Sequence, residues 1–362
     1  MKITIIAGAR PNFMKIAPIV HAIQKAKKAD ENIDFRLIHT GQHYDKKMSG
    51  DFFDQLQIPD PHANLEAGGG SQAEQTAAIM VGFEGELQEN PVDLVLVVGD
   101  VTSTMACSIT AKKLNIKVAH VEAGIRSGDL TMPEEINRMV TDSISDYFFT
   151  TSEIANLNLR RAGIEEDRIH FVGNTMIDTL LSNLDNFIDP EIKVNGEELI
   201  EKQYFVLTLH RPANVDEEGK LKEMMQAIIE NTGDLSIIFP VHPRTAKILT
   251  NLGITHERLY YVEPLSYLEF NYLVKRAKAV ITDSGGITEE TTVMGVPCLT
   301  LRDNTERPET ITMGTNELVG INPKNLKPYL SKLMKGEWKE GGRIPLWDGK
   351  AAERIVSILC NQ

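Results

Sequence analysis

A chain of 362 residues, 42% hydrophobic and 25% charged, has the length for two domains or one large one and the composition of a globular protein. Its net charge of −13, from 38 basic and 51 acidic residues, argues against non-specific binding to nucleic acid or to anionic membranes. It leaves open an anionic small ligand, which a few local basic residues could hold. Strand-like apolar runs at 3–7, 35–39, 94–98, 118–121 and 148–150 alternate with helix-like segments. The pattern repeats at 205–209, 236–239, 259–262, 279–282 and 298–301, with amphipathic stretches at 221–231 and 267–277 between them. Such alternation predicts an α/β protein with parallel sheets covered by helices. There are too many strands for one comfortable sheet, so two Rossmann-like domains are expected. The N-terminal domain is taken as 1–185 and the C-terminal one as 186–349, with the break in the Pro- and charge-bearing stretch 185–203. The last helix, within 350–362, is expected to pack back on the first domain. Two such domains facing each other would form a cleft beyond the carboxyl ends of their strands, where ligands of open parallel sheets bind.

Chemistry-bearing residues gather at those strand ends. After the first strand comes Gly8-Ala9-Arg10-Pro11-Asn12, with Pro11 suited to a first helical turn. Arg10 and, about a turn on, Lys15 would then lie near the positive end of a helix, an arrangement for anions. Asp100 follows the strand at 94–98, and Glu122 follows the one at 118–121. Two carboxylates so placed face one site. Pro133 opens a further helix on which Glu134 and Arg138, four residues apart, share a face. Several acids converging on one site would have their pKa values split, leaving one as acid and another as base.

In the second half, His210 and His242 each follow a strand. The run Asp283-Ser284-Gly285-Gly286 separates a buried strand from a helix start. There unpaired N–H groups and the helix dipole favour a phosphate, and missing side chains let it come close. Glu290, one turn in, could hold two adjacent hydroxyls such as those of a ribose. A charged stretch, 302–309, follows another strand, and Arg307 within it could reach toward the phosphates. Cys107, Cys298 and Cys360 are odd in number and widely spaced, which fits a reducing cytoplasm rather than a disulfide framework. No metal site is expected: His39 and His43 are four apart but straddle Thr40-Gly41 rather than sharing a helix. No signal peptide and no apolar run long enough for a bilayer is read.

These motifs together resemble the non-hydrolysing UDP-N-acetylglucosamine 2-epimerases. The opening 8–15, Thr40-Gly41-Gln42-His43, Gly99-Asp100, His120-Val121-Glu122-Ala123-Gly124, 133–138, 283–290 and Thr305-Glu306-Arg307-Pro308-Glu309 carry the resemblance in order along the chain. It implies the two-domain glycosyltransferase B-type fold and interconversion of UDP-GlcNAc and UDP-ManNAc, without metal or nicotinamide. The implied route is elimination of UDP to 2-acetamidoglucal, then re-addition with a proton on the other face of C2. By resemblance, Arg10, Lys15, Arg138 and His210 would lie near the diphosphate, and Asp100, Glu122 and Glu134 would be the acid–base carboxylates. Ser284, Gly285 and Gly286 would hold phosphate, Glu290 the ribose, and Phe270 the uracil ring, with Arg307 near the site. The alternative for Phe270 is core packing on an amphipathic helix. A second, activating UDP-GlcNAc site would involve Gln42 and His242, with Ser71-Gln72 where relatives have an Arg. The family expectation is a cytoplasmic homodimer with no nucleic-acid or membrane partner, supplying precursors of surface polysaccharide. The competing readings are a hydrolysing relative that releases ManNAc and UDP, and a glycosyltransferase of the same fold. Arg10-Pro11-Asn12 and the Glu134–Arg138 element favour the non-hydrolysing type.

Overall fold

The computed structural model describes residues 1–41, 53, 55–215 and 217–361. Gln42 and His43 lie outside the described residues, as does the side chain of Arg10. The chain divides into two compact units, Met1–Ser182 with Pro345–Gln362, and Asn183–Ile344. Each is built around one parallel sheet.

The first unit contains β1 (Lys2–Ala7), β2 (Asp34–His39), β3 (Ala63–Asn64), β4 (Leu94–Val98), β5 (Lys117–Val121), β6 (Tyr147–Thr150) and β7 (Ile169–Phe171). Their order is β3-β2-β1-β4-β5-β6-β7, with every pairing parallel. Leu94 through Val98 are all buried, as a strand covered on both faces requires. Each such side chain contributes roughly 2 kcal/mol by leaving water. One face carries the helices Arg10–Lys28 and Ala351–Cys360, whose Phe13, Ile16, Ile355 and Leu359 join the same core as Ile3, Ile5 and Leu96. The other face carries Gln72–Glu89 and Thr102–Lys113. The first helix opens with Pro in its first turn and closes with Lys25, Lys27 and Lys28, matching its dipole.

In the second unit a short hairpin, β8 (Lys193–Val194) and β9 (Glu197–Glu198), precedes the sheet. That sheet comprises β10 (Tyr204–Thr208), β11 (Ser236–Pro240), β12 (Leu259–Val262), β13 (Ala279–Thr282), β14 (Cys298–Thr300) and β15 (Asn316–Leu318). The order is β12-β11-β10-β13-β14-β15, again all parallel. Helices Glu218–Asn231, Pro243–Asn251 and Leu326–Met334 pack on one face, and Tyr267–Arg276 and Gly285–Met294 on the other.

Both sheets reverse their winding beside the first strand: between β1 and β4 in one unit, and between β10 and β13 in the other. Crevices at such switch points are where open α/β sheets take their ligands. Gly8 and Gly99-Asp100 leave the first pair of strands, and His210 and Asp283-Ser284 leave the second. Among the described residues no helix is long and apolar enough to cross a membrane, and the three cysteines are free thiols.

Candidate active site

In the first unit Glu122 sits just past β5 with φ +68, a left-handed conformation rare outside glycine. Its carboxylate Oε2 is 2.5 Å from Lys15 Nζ, and both side chains are buried. Gly99 borders this pair with φ +70. A Cβ there would stand 3.2 Å from Lys15 Nζ and 3.5 Å from Glu122 Oε2, so the missing side chain leaves the ion pair room. Asn12 ties the site to the sheet: its Oδ1 accepts the N–H groups of Gly8 and Ala9, and its Nδ2 donates to the Val98 carbonyl.

A second carboxylate–cation pair lies beside β4. Arg138 Nη2 is 2.5 Å from Asp100 Oδ2, and its Nη1 donates to Glu135 Oε2 at 2.8 Å. Asp100 keeps 27% of its side-chain surface open, whereas Arg138 keeps 6%. The expected partnership of Glu134 with Arg138 gives way to Glu135. Glu135 accepts the N–H groups of Ser127 and Gly128, which draws it inward and turns Glu134 out to solvent. Burial works against ionisation of Glu135, but these hydrogen bonds and Arg138 hold its carboxyl below the usual range. Lys15, Glu122, Asp100 and Arg138 are thus brought together in two pairs, and Glu134 is in neither.

In the second unit, the fully buried Asp283 organises the loops that leave β10 and β13. Its carboxylate accepts the N–H groups of His210 and Arg211 at 3.0 and 2.9 Å and the Asn214 amide at 3.1 Å. The same carboxylate meets His210 Nδ1 at 2.7 Å, while the His210 side chain is 61% exposed. The imidazole is therefore oriented with its other nitrogen outward. Burial opposes the charge on Asp283, yet His210 and the donated N–H groups hold its carboxyl below the ordinary range. Sequence reasoning had Asp283 in the motif but gave it no role, because its partners lie some seventy positions away in the chain.

Ser284 precedes the helix Gly285–Met294 and gives it no side-chain cap, which leaves the first N–H groups for a ligand or solvent. Arg302 stands beside this helix start. Its Nη1 is 2.7 Å from Glu306 Oε2 and 3.6 Å from where a Gly285 Cβ would lie. Arg302 was not singled out from the sequence. Arg307 Nε donates to the fully buried Glu289, on the helix that the glycine turn opens. Glu290 is buried, and the loss of water pushes its carboxyl up to about 7 against hydrogen bonds from Tyr267 and Asn271. Phe270 is half-buried at the margin of the core that includes Leu273 and Val280. His242 and Gln72 are both exposed. His242 Nδ1 accepts the Arg244 N–H and caps its helix, and Gln72 accepts the Thr102 hydroxyl.

Among the described residues no group of three or more His, Cys, Asp or Glu is placed to hold a metal ion. His39 is buried, and its Nδ1 accepts the Gly41 N–H. A cavity of about 380 Å³ lined by Met1, Asp93, Lys117 and Tyr147 lies at the amino ends of the first sheet, away from the paired carboxylates.

The chain is a two-unit α/β protein with uncapped helix N–H groups and an oriented histidine at one sheet's switch point and paired carboxylates beside the other's. The family model described as UDP-N-acetylglucosamine 2-epimerase matches residues 25–360. The chain is 44% identical over 371 aligned positions to a UDP-N-acetylglucosamine 2-epimerase of Methanocaldococcus jannaschii, covering 99% of each protein. It is 38% identical to a UDP-2,3-diacetamido-2,3-dideoxy-D-glucuronate 2-epimerase of Pseudomonas aeruginosa, again over 99% of each. A crystal structure of the M. jannaschii UDP-GlcNAc 2-epimerase in complex with UDP-GlcNAc and UDP superimposes with TM-score 0.88 at 42% identity, covering 100% of both chains. The chain belongs to the UDP-N-acetylglucosamine 2-epimerase family and is an isomerase with the α/β architecture of the glycosyltransferase B-type fold.

Proposed function

We propose that this protein is a non-hydrolysing UDP-GlcNAc 2-epimerase that interconverts UDP-GlcNAc and UDP-ManNAc for surface-polysaccharide precursors. The observation that carries this reading is the double pairing of strand-end carboxylates with cations, Glu122 with Lys15 and Asp100 with Arg138, each at 2.5 Å. A carboxylate beside a cation suits a reaction that moves a proton while negative charge builds on a leaving diphosphate.

A carboxylate takes the C2 proton of the sugar, the C1–O bond breaks, and UDP departs with the bonding electrons. The C2–H pair becomes the C1–C2 double bond of 2-acetamidoglucal. UDP then adds back to C1, and a second acid delivers a proton to the opposite face of C2. Asp100 and Glu122 are the acid–base pair, and Glu134, on the exposed first turn of its helix, is the third candidate. Fixed positive groups stabilise the departing diphosphate, which is expected to be the main electrostatic contribution. Arg10, Lys15, Arg138 and His210 take that part. The glycine turn Ser284-Gly285-Gly286 holds phosphate, Glu290 the ribose hydroxyls and Phe270 the uracil. Arg307, which pairs with Glu289 on the helix that carries Glu290, is a further substrate-binding residue. A homodimer in the cytoplasm, with UDP-GlcNAc also acting as an activator through Gln42, Gln72 and His242, belongs to the same reading.

The test is product analysis by ion-exchange chromatography after incubation with UDP-GlcNAc. UDP-ManNAc as the sole new nucleotide sugar is expected. Free ManNAc with stoichiometric UDP would move the protein to the hydrolysing relatives. Turnover of UDP-2,3-diacetamido-2,3-dideoxy-D-glucuronate in preference to UDP-GlcNAc would reassign the substrate.

A further inference from the structure

His120 lies two residues before Glu122 on β5, is fully buried, and takes no part in the chemistry described above. Its Nε2 is 2.8 Å from the carbonyl oxygen of Gly99. A carbonyl oxygen only accepts, so Nε2 carries a proton. Its Nδ1 is 2.7 Å from Asp142 Oδ1. The other Asp142 oxygen accepts the Gly124 N–H at 3.1 Å and lies 2.7 Å from Arg126 Nη1. Burial pushes the Asp142 carboxyl upward, but His120 and Arg126 outweigh it and keep the group ionised. With Nε2 committed to the Gly99 carbonyl, the other ring nitrogen is left to the Asp142 carboxylate.

This network grips both turns that carry the reacting carboxylates. The Gly99 carbonyl is held by His120, and its N–H donates to the Val121 carbonyl at 3.0 Å. Asp100 is the next residue. Gly124, whose N–H is held by Asp142, closes the turn that begins at the left-handed Glu122. One buried histidine–aspartate pair therefore joins the end of β4 to the end of β5. We propose that His120 is a positioning residue that with Asp142 locks the Gly99 and Gly124 turns and so sets the placement of Asp100 and Glu122. This rests on the reading of those two carboxylates as the acid–base pair.

Two measurements test it. The first is side-chain ¹H–¹⁵N correlation NMR of the uniformly labelled, full-length protein at neutral pH, with His120 assigned through His120→Asn. A protonated shift at Nε2 is expected, and an unprotonated Nε2 would overturn the grip on the Gly99 carbonyl. The second is steady-state kinetics of His120→Asn and Asp142→Asn. A displacement of about 1 Å in a reacting group costs about a hundredfold in rate. A fall in kcat of that order is expected in both variants, with KM and UDP affinity within twofold of wild type. Wild-type kcat in both variants would overturn the positioning role. If Asp100→Asn and Glu122→Gln also turned over normally, the acid–base reading itself would fall, while the NMR result would still decide whether His120 Nε2 donates to Gly99.

Discussion

Glu290→Gln separates two properties of one buried carboxyl. Burial lifts this group from an ordinary value of 4.5 to about 7. At about 1.4 kcal/mol per tenfold, ionising it inside the folded protein costs about 3 kcal/mol. The sign follows from proton counting. Between pH 4.5 and 7 the folded state keeps a proton that the unfolded chain has lost, so stability falls as pH rises through that window and levels off above it. Glutamine has nearly the same shape and does not ionise. The variant should therefore gain up to about 3 kcal/mol over wild type at pH 8 and much less at pH 5. Thermal unfolding followed by intrinsic fluorescence at the two pH values reads this directly. UDP binding should move the other way. Replacing a charged acceptor of ribose hydroxyls by an amide loses about 1.5 kcal/mol, or roughly tenfold in Kd by calorimetry at pH 8. A pH-independent change in Tm would refute the burial argument, and an unchanged Kd would refute the ribose assignment.

Further expectations follow from the paired carboxylates and the loops that hold them. Asp100→Asn and Glu122→Gln should each lower kcat by orders of magnitude while calorimetry still detects UDP binding; loss of UDP binding instead would give these residues a binding role. Gly99→Ala forces a methyl group into a left-handed position 3.2 Å from Lys15 Nζ. A loss of about 1–2 kcal/mol in denaturant unfolding is expected, together with reduced kcat. Asp283→Asn removes a carboxylate whose folded-state pKa is depressed. Its contribution is present above the unfolded value and lost as pH falls through the folded one, so the variant's stability deficit should be larger at pH 7 than at pH 3. UDP affinity should fall with it, because both the His210 loop and the glycine turn are anchored there.

The central strands were legible because continuous apolar runs such as Leu94–Val98 end in glycine or charge, as doubly covered parallel strands must. Three of the four edge strands were not. Ala63–Asn64, Ile169–Phe171 and Asn316–Leu318 have two or three residues each and leave too short a pattern to read. Asn195-Gly196, read as part of a linker, is the turn of the β8–β9 hairpin, with φ of 53° and 85° at its two residues. This is the left-handed pair that an Asn-Gly hairpin turn requires. Strand-end residues could be named from sequence because parallel topology sends them to one edge. Their partners could not, since pairing depends on loop closure. Arg138 meets Glu135 rather than Glu134 because the loop at 127–128 donates its N–H groups to Glu135. Arg307 meets Glu289 because the helix Gly285–Met294 buries that residue.

The central claim is that C2 of the sugar exchanges its proton while the product remains joined to UDP. Proton NMR of the protein with UDP-GlcNAc in D₂O tests it most directly. UDP-ManNAc carrying deuterium at C2 is expected, with deuterium also washing into recovered UDP-GlcNAc. Epimerised product that retains its C2 proton, or free ManNAc alongside UDP, would contradict it.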